Sequence, residues 1–457
     1  MDSLDYSEYQ YDFSNFKLLL DEFKELASRP YDSIEECLSL LKDLIKYLNE
    51  IQRISKGACI EFELDNNNDN RDHVVLTFNM FSRIFGLRER IFNKMIFSFK
   101  EEDVLNKCDE DLINYVKKIY YPKDHFMNID DPDYNEIISK IDEVWHNARN
   151  CVSDINALKE NTIKYIELNK VMLKLVKFDT PLDRELFLDG FSKELFMELI
   201  KYNFNNYSLE DTTSKIKLKE AMSLYVEAFN NTYSDDILEI YKKLLESNSV
   251  RYVVEKTERN FKIGTYASYG HIPKILINYD GTIDSLFGFI FELGHAFCLT
   301  KQNNNSIYDY EYNIFIGDII GYVNELLLYD TLKHKNSPVL EDSRVYLSNM
   351  LYRANNDLKA LNISYNAYYN KLLDLNTEEL LNIYNDFGDY REVLGMIIAG
   401  VITKKLLNDE IDKDKYSKFI GMSGNIMIKD ILNSIDINID DINIIKEGVN
   451  FLKEFVK

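Results

Sequence analysis

Cysteine is scarce in this sequence, and none of it is in a metal-binding or redox spacing. Cys37, Cys59, Cys108, Cys151 and Cys298 are scattered and odd in number, with no C-x-x-C pair. Such usage argues against a disulfide framework and points to reduced thiols in a cytoplasmic chain. No apolar run reaches the roughly 18 residues of a membrane-spanning helix. The N-terminus, MDSLDYSEYQYDF, lacks the basic start and apolar core of a secretory signal. Basic charge is also short: 54 Lys and Arg face 77 Asp and Glu, for a net charge of −23, and no basic cluster offsets it. Nucleic acid and anionic membrane are therefore not expected as partners. There is no internal repeat and no low-complexity tract beyond a few Asn. What remains, 457 residues with 46% hydrophobic and 29% charged side chains, describes an ordinary globular protein able to bury a large core.

The hydrophobic period is helical over most of the length. Ser33 and Glu36 stand in capping-box spacing ahead of Leu38, Leu41, Leu44, Ile45 and Leu48. The polar tract Leu64–Asp72 reads as an exposed loop, helical pattern resumes at Phe81–Phe99 and Asp109–Ile119, and Pro122–Tyr134 reads as a connection. A soft boundary is placed just beyond it, giving an N-terminal helical domain over 1–150 and a second domain over 151–457. Further helical patterns cover Ile137–Leu175, Lys215–Asn230 and Ser234–Glu246. Strand character is confined to Tyr252–Val254, Phe261–Tyr269 and Lys274–Tyr279, the last followed by an Asp280-Gly281 turn and by Asp284 as the expected N-cap of the next helix.

That helix is the centre of the chain. Leu286–Leu299 reads LFGFIFELGHAFCL, apolar on every side except for Glu292 and His295, which is the signature of a buried helix. Three residues apart, the carboxylate and the imidazole share a face, and polar groups in an apolar wall need partners. One reading is a structural pair in which Glu292 accepts a hydrogen bond from His295. The other is a metal-site helix, because H-E-x-x-H places two His one turn apart on zinc with the Glu between them as general base. Here Phe291-Glu292-Leu293-Gly294-His295 keeps the Glu and the second His and has Phe in the first position. A second mostly apolar helix follows over roughly Asn313–Leu332. In it Asp318, Tyr322 and Glu325 fall on one face, and Gly317 and Gly321 permit close approach of another helix.

These blocks resemble the oligoendopeptidase F and thimet oligopeptidase family of zinc metallopeptidases. The likeness runs from about Ile155 to the C-terminus, through NTIKYIELNKVMLKLVKFDTPLDRELF, GTYASYGHIPKILINYDGTIDSLFGFIFELGHAF, IFIGDIIGYVNELLL and roughly the last 60 residues. The resemblance implies a mainly α, multi-helix, zincin-like metallopeptidase fold with a short β-sheet beside a deep substrate channel. It aligns the two zinc-binding His with Phe291 and His295, the general base with Glu292 and the third ligand, a Glu, with Asp318; Glu325 matches a further Glu. It implies that the edge strand, Ile275, Leu276, Ile277, Asn278 and Tyr279, pairs with extended substrate backbone. In Asp386–Gly400 the family's His aligns with Phe387 and its Tyr positions with Asp389, Val393, Gly395 and Ile397, while Tyr390 is kept.

A catalytic zinc needs three protein ligands and an open water position, and Phe cannot ligate. Without a well-held metal Glu292 has no acidified water to deprotonate, and loss of an oxyanion donor alone costs on the order of 10²–10³ in rate. The expectation is a pseudopeptidase that binds a peptide or protein partner in its channel, with no cofactor. The alternative is a residual or altered metallo-oligopeptidase, with zinc, in which Cys298 or another side chain completes the site. Metal-free acid and base chemistry by Glu292, His295 and Asp318 is a third class.

Overall fold

The computed structural model describes residues 4–127, 131–204, 207–230, 232–252, 264–369, 375–384, 387 and 390–457. The chain forms two compact units, each assembled from separated stretches. The first comprises Met1–Tyr121, Thr212–Tyr346 and Ile402–Ile426, and the second Pro122–Asp211, Leu347–Val401 and Met427–Lys457. The division expected at residue 150 falls within the second unit, at the turn between the helices Pro132–Asn150 and Ile155–Leu175.

In the first unit the helix Phe16–Ser28 is followed by a long helical hairpin, Ile34–Leu64 against Asn68–Ser98. Ser33 accepts from the Glu36 backbone N–H while the Glu36 side chain takes the Ser33 N–H, which is the capping box read from the sequence. The polar tract Leu64–Asp72 is mostly helix rather than loop. Its Asn67 side chain accepts from the Asn70 N–H at 2.8 Å, so the Asn run starts the second helix of the hairpin instead of separating it. Leu41, Leu44, Ile51 and Ile54 of one arm close on Met80, Ile84, Leu87 and Ile91 of the other, all nearly or fully buried.

Three short strands, β1 (Val250–Tyr252), β2 (Gly264–Tyr266) and β3 (Lys274–Ile277), form the one sheet among the described residues, in the order β1-β3-β2. β3 runs parallel to β1 and antiparallel to β2. The expected edge position of Lys274–Tyr279 is thereby corrected. This segment is the middle strand, with Ile275, Leu276 and Ile277 at 0–2% exposure and backbone pairing on both sides. A run of apolar residues without polar alternation suits a strand covered on both faces, while its place in the strand order is set by the pairing of β1 and β2 on its two sides.

After β3 the chain turns through Gly281, whose φ of 83° lies in the left-handed region, into the helix Ile283–Gln302, hereafter the central helix. Its N-cap is Thr282, not Asp284: Thr282 Oγ1 accepts from the Ser285 N–H at 3.2 Å, and Asp280 holds Thr282 in turn at 2.6 Å. By length and composition the central helix could cross a membrane, but 72% of its most apolar window is buried within the fold, as in a core helix. It packs most extensively on Ile314–His334, the crossing helix, capped by Asn313. Contact is close because glycine meets glycine: a Cβ on Gly294 would stand 2.6 Å from the Gly321 backbone N.

In the second unit, the helices Pro132–Asn150 and Ile155–Leu175 pair as a second hairpin. Asp189 there accepts from the Tyr390 hydroxyl and, at 2.6 Å, from Arg391 Nε. Tyr390 is 1% exposed and its hydroxyl is committed to that carboxylate. Phe387 is also buried, with a φ of 60°. Asp386 and Asp389 lie outside the described residues.

Candidate functional site

A cavity of about 530 Å³ opens within the first unit. The central helix contributes Phe291, Glu292, His295 and Leu299 to its wall, and the crossing helix contributes Ile314 and Asp318, preceded by Tyr312. Gly264, Thr265, Tyr266 and Ala267 come from β2 and its end, and Gln52 and Lys56 from the first arm of the hairpin. The sequence-derived set Phe291, Glu292, His295 and Asp318 is thus brought together. Ile275, Leu276, Ile277, Asn278 and Tyr279 are not among the residues that line this cavity, and β2 occupies the place expected of them.

The polar groups are bonded in an order that the sequence left open. Glu292 and His295 each have a partner on another element. Thr265 Oγ1 donates to Glu292 Oε2 at 2.6 Å, fixing the carboxylate to β2. His295 Nδ1 meets the Tyr312 hydroxyl, and its Nε2 lies 3.5 Å from Asp318 Oδ1. A carboxylate accepts only, so the neutral ring carries its proton on Nε2 toward Asp318 and accepts at Nδ1 from Tyr312. Gly317 makes this possible: a Cβ there would overlap the Tyr312 hydroxyl and stand 2.7 Å from His295 Nδ1. Of the acidic face on the crossing helix, Asp318 meets His295, Tyr322 packs edge-on to Phe291 with centroids 5.1 Å apart, and buried Glu325 accepts from Tyr346 at 2.8 Å.

Burial controls the titration of the ring, pushing the His295 pKa down to about 4. Burial also lifts the Tyr312 phenol well above its ordinary range, helped by Cys298 and by the carboxylates of Asp318 and Glu292. The Cys298 thiol is fully buried, accepts from Gln302 at 3.4 Å, and is raised by burial to about 12. It is not among the cavity-lining residues and behaves as a small core hydrophobe.

The low His295 pKa has a consequence for stability. An unfolded chain takes up this proton near pH 6.5, whereas the folded ring resists it until about pH 4, so acid favours the unfolded state. At about 1.4 kcal/mol per pH unit the loss between those limits reaches roughly 3 kcal/mol. The nearby Asp318 carboxylate favours the imidazolium, which makes this figure a ceiling. Urea unfolding at pH 7 and pH 4.5 checks it: the wild type is expected to lose more stability than His295→Gln over that interval.

The donors of the cavity decide its fit to zinc. Two ligands with zinc bonds of about 2.0–2.2 Å in tetrahedral geometry stand roughly 3.4 Å apart, so the 3.5 Å between His295 Nε2 and Asp318 Oδ1 suits a pair of ligands. A third is missing from the first motif position. The Phe291 ring stands there, edge-on to His295 with centroids 4.9 Å apart and so close to Gly321 that a Cβ would meet it at 2.6 Å. Among the described residues no group of three or more His, Cys, Asp and Glu is placed to hold a metal ion. The described residues do not fit a three-ligand catalytic zinc.

Thr265, Tyr312, Gln52 and Lys56 were not found from the sequence. Thr265 lies in the expected strand Phe261–Tyr269, and Tyr312 lies just past a polar loop, but neither position carries a signal that it faces the central helix.

No family model matches this chain. Among curated proteins it is 28% identical over 151 residues to oligopeptidase PepF of Bacillus subtilis, a stretch covering 32% of this chain and 22% of that protein. The match therefore spans less than a quarter of the relative's length. Among solved structures, a candidate peptidase from Chlamydophila abortus superposes with a TM-score of 0.78 at 16% identity, covering 99% of this chain and 97% of that one. A candidate oligoendopeptidase F from Bacillus anthracis follows at a TM-score of 0.66 and 13% identity, covering 100% and 98%. The fold is the mainly α fold of the oligoendopeptidase F structures, with its small sheet. Sequence and fold together make the chain similar to the oligoendopeptidase F proteins.

Proposed function

We propose that this chain is a pseudopeptidase, binding a peptide in the cavity beside Glu292 and His295 without zinc-dependent hydrolysis. The position of the Phe291 ring supports this reading, because it leaves His295 and Asp318 as the only two of the inherited ligand positions that can donate. β2 supports the binding half of the proposal. One side of it pairs with β3, among the described residues no strand covers the other, and Gly264–Tyr266 line the cavity. Extended peptide backbone can add to such an edge with little demand on side chains. A cytoplasmic location accords with the five free cysteines. A second reading, a residual metallo-oligopeptidase, draws on the 3.5 Å spacing of His295 and Asp318 and on the names of the relatives.

Metal analysis of purified protein, run beside a quenched-fluorescence peptide cleavage assay with added zinc or chelator, separates the two. Substoichiometric zinc and no chelator-sensitive cleavage are expected, with binding of the intact peptides retained. One tightly held equivalent of zinc, lost in His295→Ala together with turnover, would establish the second reading instead.

A further inference from the structure

Of the polar groups around the cavity, two stand apart from the network described above. Gln52 and Lys56 lie one turn apart on the helix Ile34–Leu64, both half-buried and both on the cavity wall. Among the other polar side chains there, Glu292 is bonded to Thr265, and His295 to Tyr312 and Asp318. Among the described residues, neither the Gln52 nor the Lys56 side chain makes a hydrogen bond or ion pair. Lys56 is also, among the described residues, the one cationic side chain lining the cavity. In a chain of net charge −23, a half-buried ammonium with no acidic partner is unusual, since a carboxylate is the commonest neighbour available.

We propose that Lys56, assisted by the amide of Gln52, is a carboxylate-recognition subsite, so that the cavity prefers peptides carrying a free carboxylate. An ammonium supplies three donors and the amide two more, while a carboxylate accepts about four, so the two side chains together can satisfy one carboxylate. The cavity is also lined by the carboxylates of Glu292 and Asp318, which come from the central and crossing helices. Repulsion from these acids orients the ligand, directing its anionic group to the hairpin side and leaving its uncharged backbone toward β2. The carboxylate can come from the peptide C-terminus or from an acidic side chain. The proposal rests on the reading of the cavity as a peptide site.

The test uses the full chain and three probes measured by calorimetry at low ionic strength: tetra-alanine, its C-terminal amide, and that amide with one Ala replaced by Asp. Tetra-alanine is expected to bind about tenfold more tightly than its amide, the gain of a partly exposed charge-assisted contact. Lys56→Gln should erase that preference without weakening the amide, and Lys56→Arg should keep most of it. A lysine that merely lays its stem over apolar surface would change all probes equally. Recovery of affinity by the Asp-containing amide identifies a side-chain carboxylate as sufficient, and no recovery identifies the C-terminus; either outcome supports the subsite. Equal binding of acid and amide by the wild type, or an undiminished preference in Lys56→Gln, overturns the subsite while the cavity still binds peptide. Absence of binding by every probe instead overturns the peptide-site reading, and the subsite with it.

Discussion

Phe291→His is expected to raise zinc affinity by at least about 100-fold, since loss of a mere ligand-supporting group already costs 10–100-fold and here a direct ligand is gained. The geometry is prepared for it. Positions 291 and 295 lie one turn apart on the central helix, their rings stand 4.9 Å apart, and Asp318 is already 3.5 Å from His295 Nε2. An imidazole is smaller than the phenyl ring it replaces and needs no more room over Gly321. Without metal the variant should be less stable by about 1 kcal/mol, because a polar ring then sits against Gly321 and Tyr322 without a partner. Zinc at about 100 times its Kd should return roughly 2.7 kcal/mol through binding to the folded state alone. Thermal melts with and without zinc read both effects, and a Tm indifferent to zinc would mean that the cavity is not shaped as a metal site. Peptidase turnover should remain low. Tyr390, the Tyr that the family pattern retains, is buried and bonded to Asp189, and Phe387 supplies no donor.

Gly294→Ala tests the helix crossing on which the site is built. Helix propensity favours Ala by about 1 kcal/mol. The new Cβ, however, would stand 2.6 Å from Gly321 N, 2.8 Å from Gly321 Cα and 2.9 Å from the Ile320 carbonyl carbon. All three are backbone atoms of the crossing helix, so relief requires the helices to separate, at an overpacking cost of about 3 kcal/mol. The clash wins, and a net loss of about 2 kcal/mol is expected as a lower urea midpoint with unchanged slope. Separation would also pull His295 from Asp318. Gly321→Ala makes a useful contrast, because its Cβ meets the Phe291 ring rather than backbone. Its cost should fall when combined with Phe291→Ala, as a coupling energy in a double-mutant cycle, whereas no side-chain truncation should rescue Gly294→Ala. Equal loss in both glycine variants, with no coupling, would refute this account of the crossing.

Much of the fold was legible because it depends on near neighbours in the chain. The capping box at Ser33 and Glu36, the all-apolar central helix and, among the described residues, the confinement of strands to the region around residues 250–277 follow from local spacing, whereas the convergence of Glu292, His295 and Asp318 was implied by the family resemblance. The misplaced features depend on distant partners. Whether Lys274–Ile277 lies at an edge is decided by β1 and β2 pairing on its two sides, which the strand's own composition does not encode. The partners of the site were hidden for the same reason. Thr265 and Tyr312 reach Glu292 and His295 from other elements, and Lys56 comes from the hairpin near the start of the chain. Residue type and period determine which face of an element is buried and which side chains share it. Which element covers that face is set by long-range packing, and only the tertiary structure decided that a tyrosine, a threonine and a lysine surround the central helix.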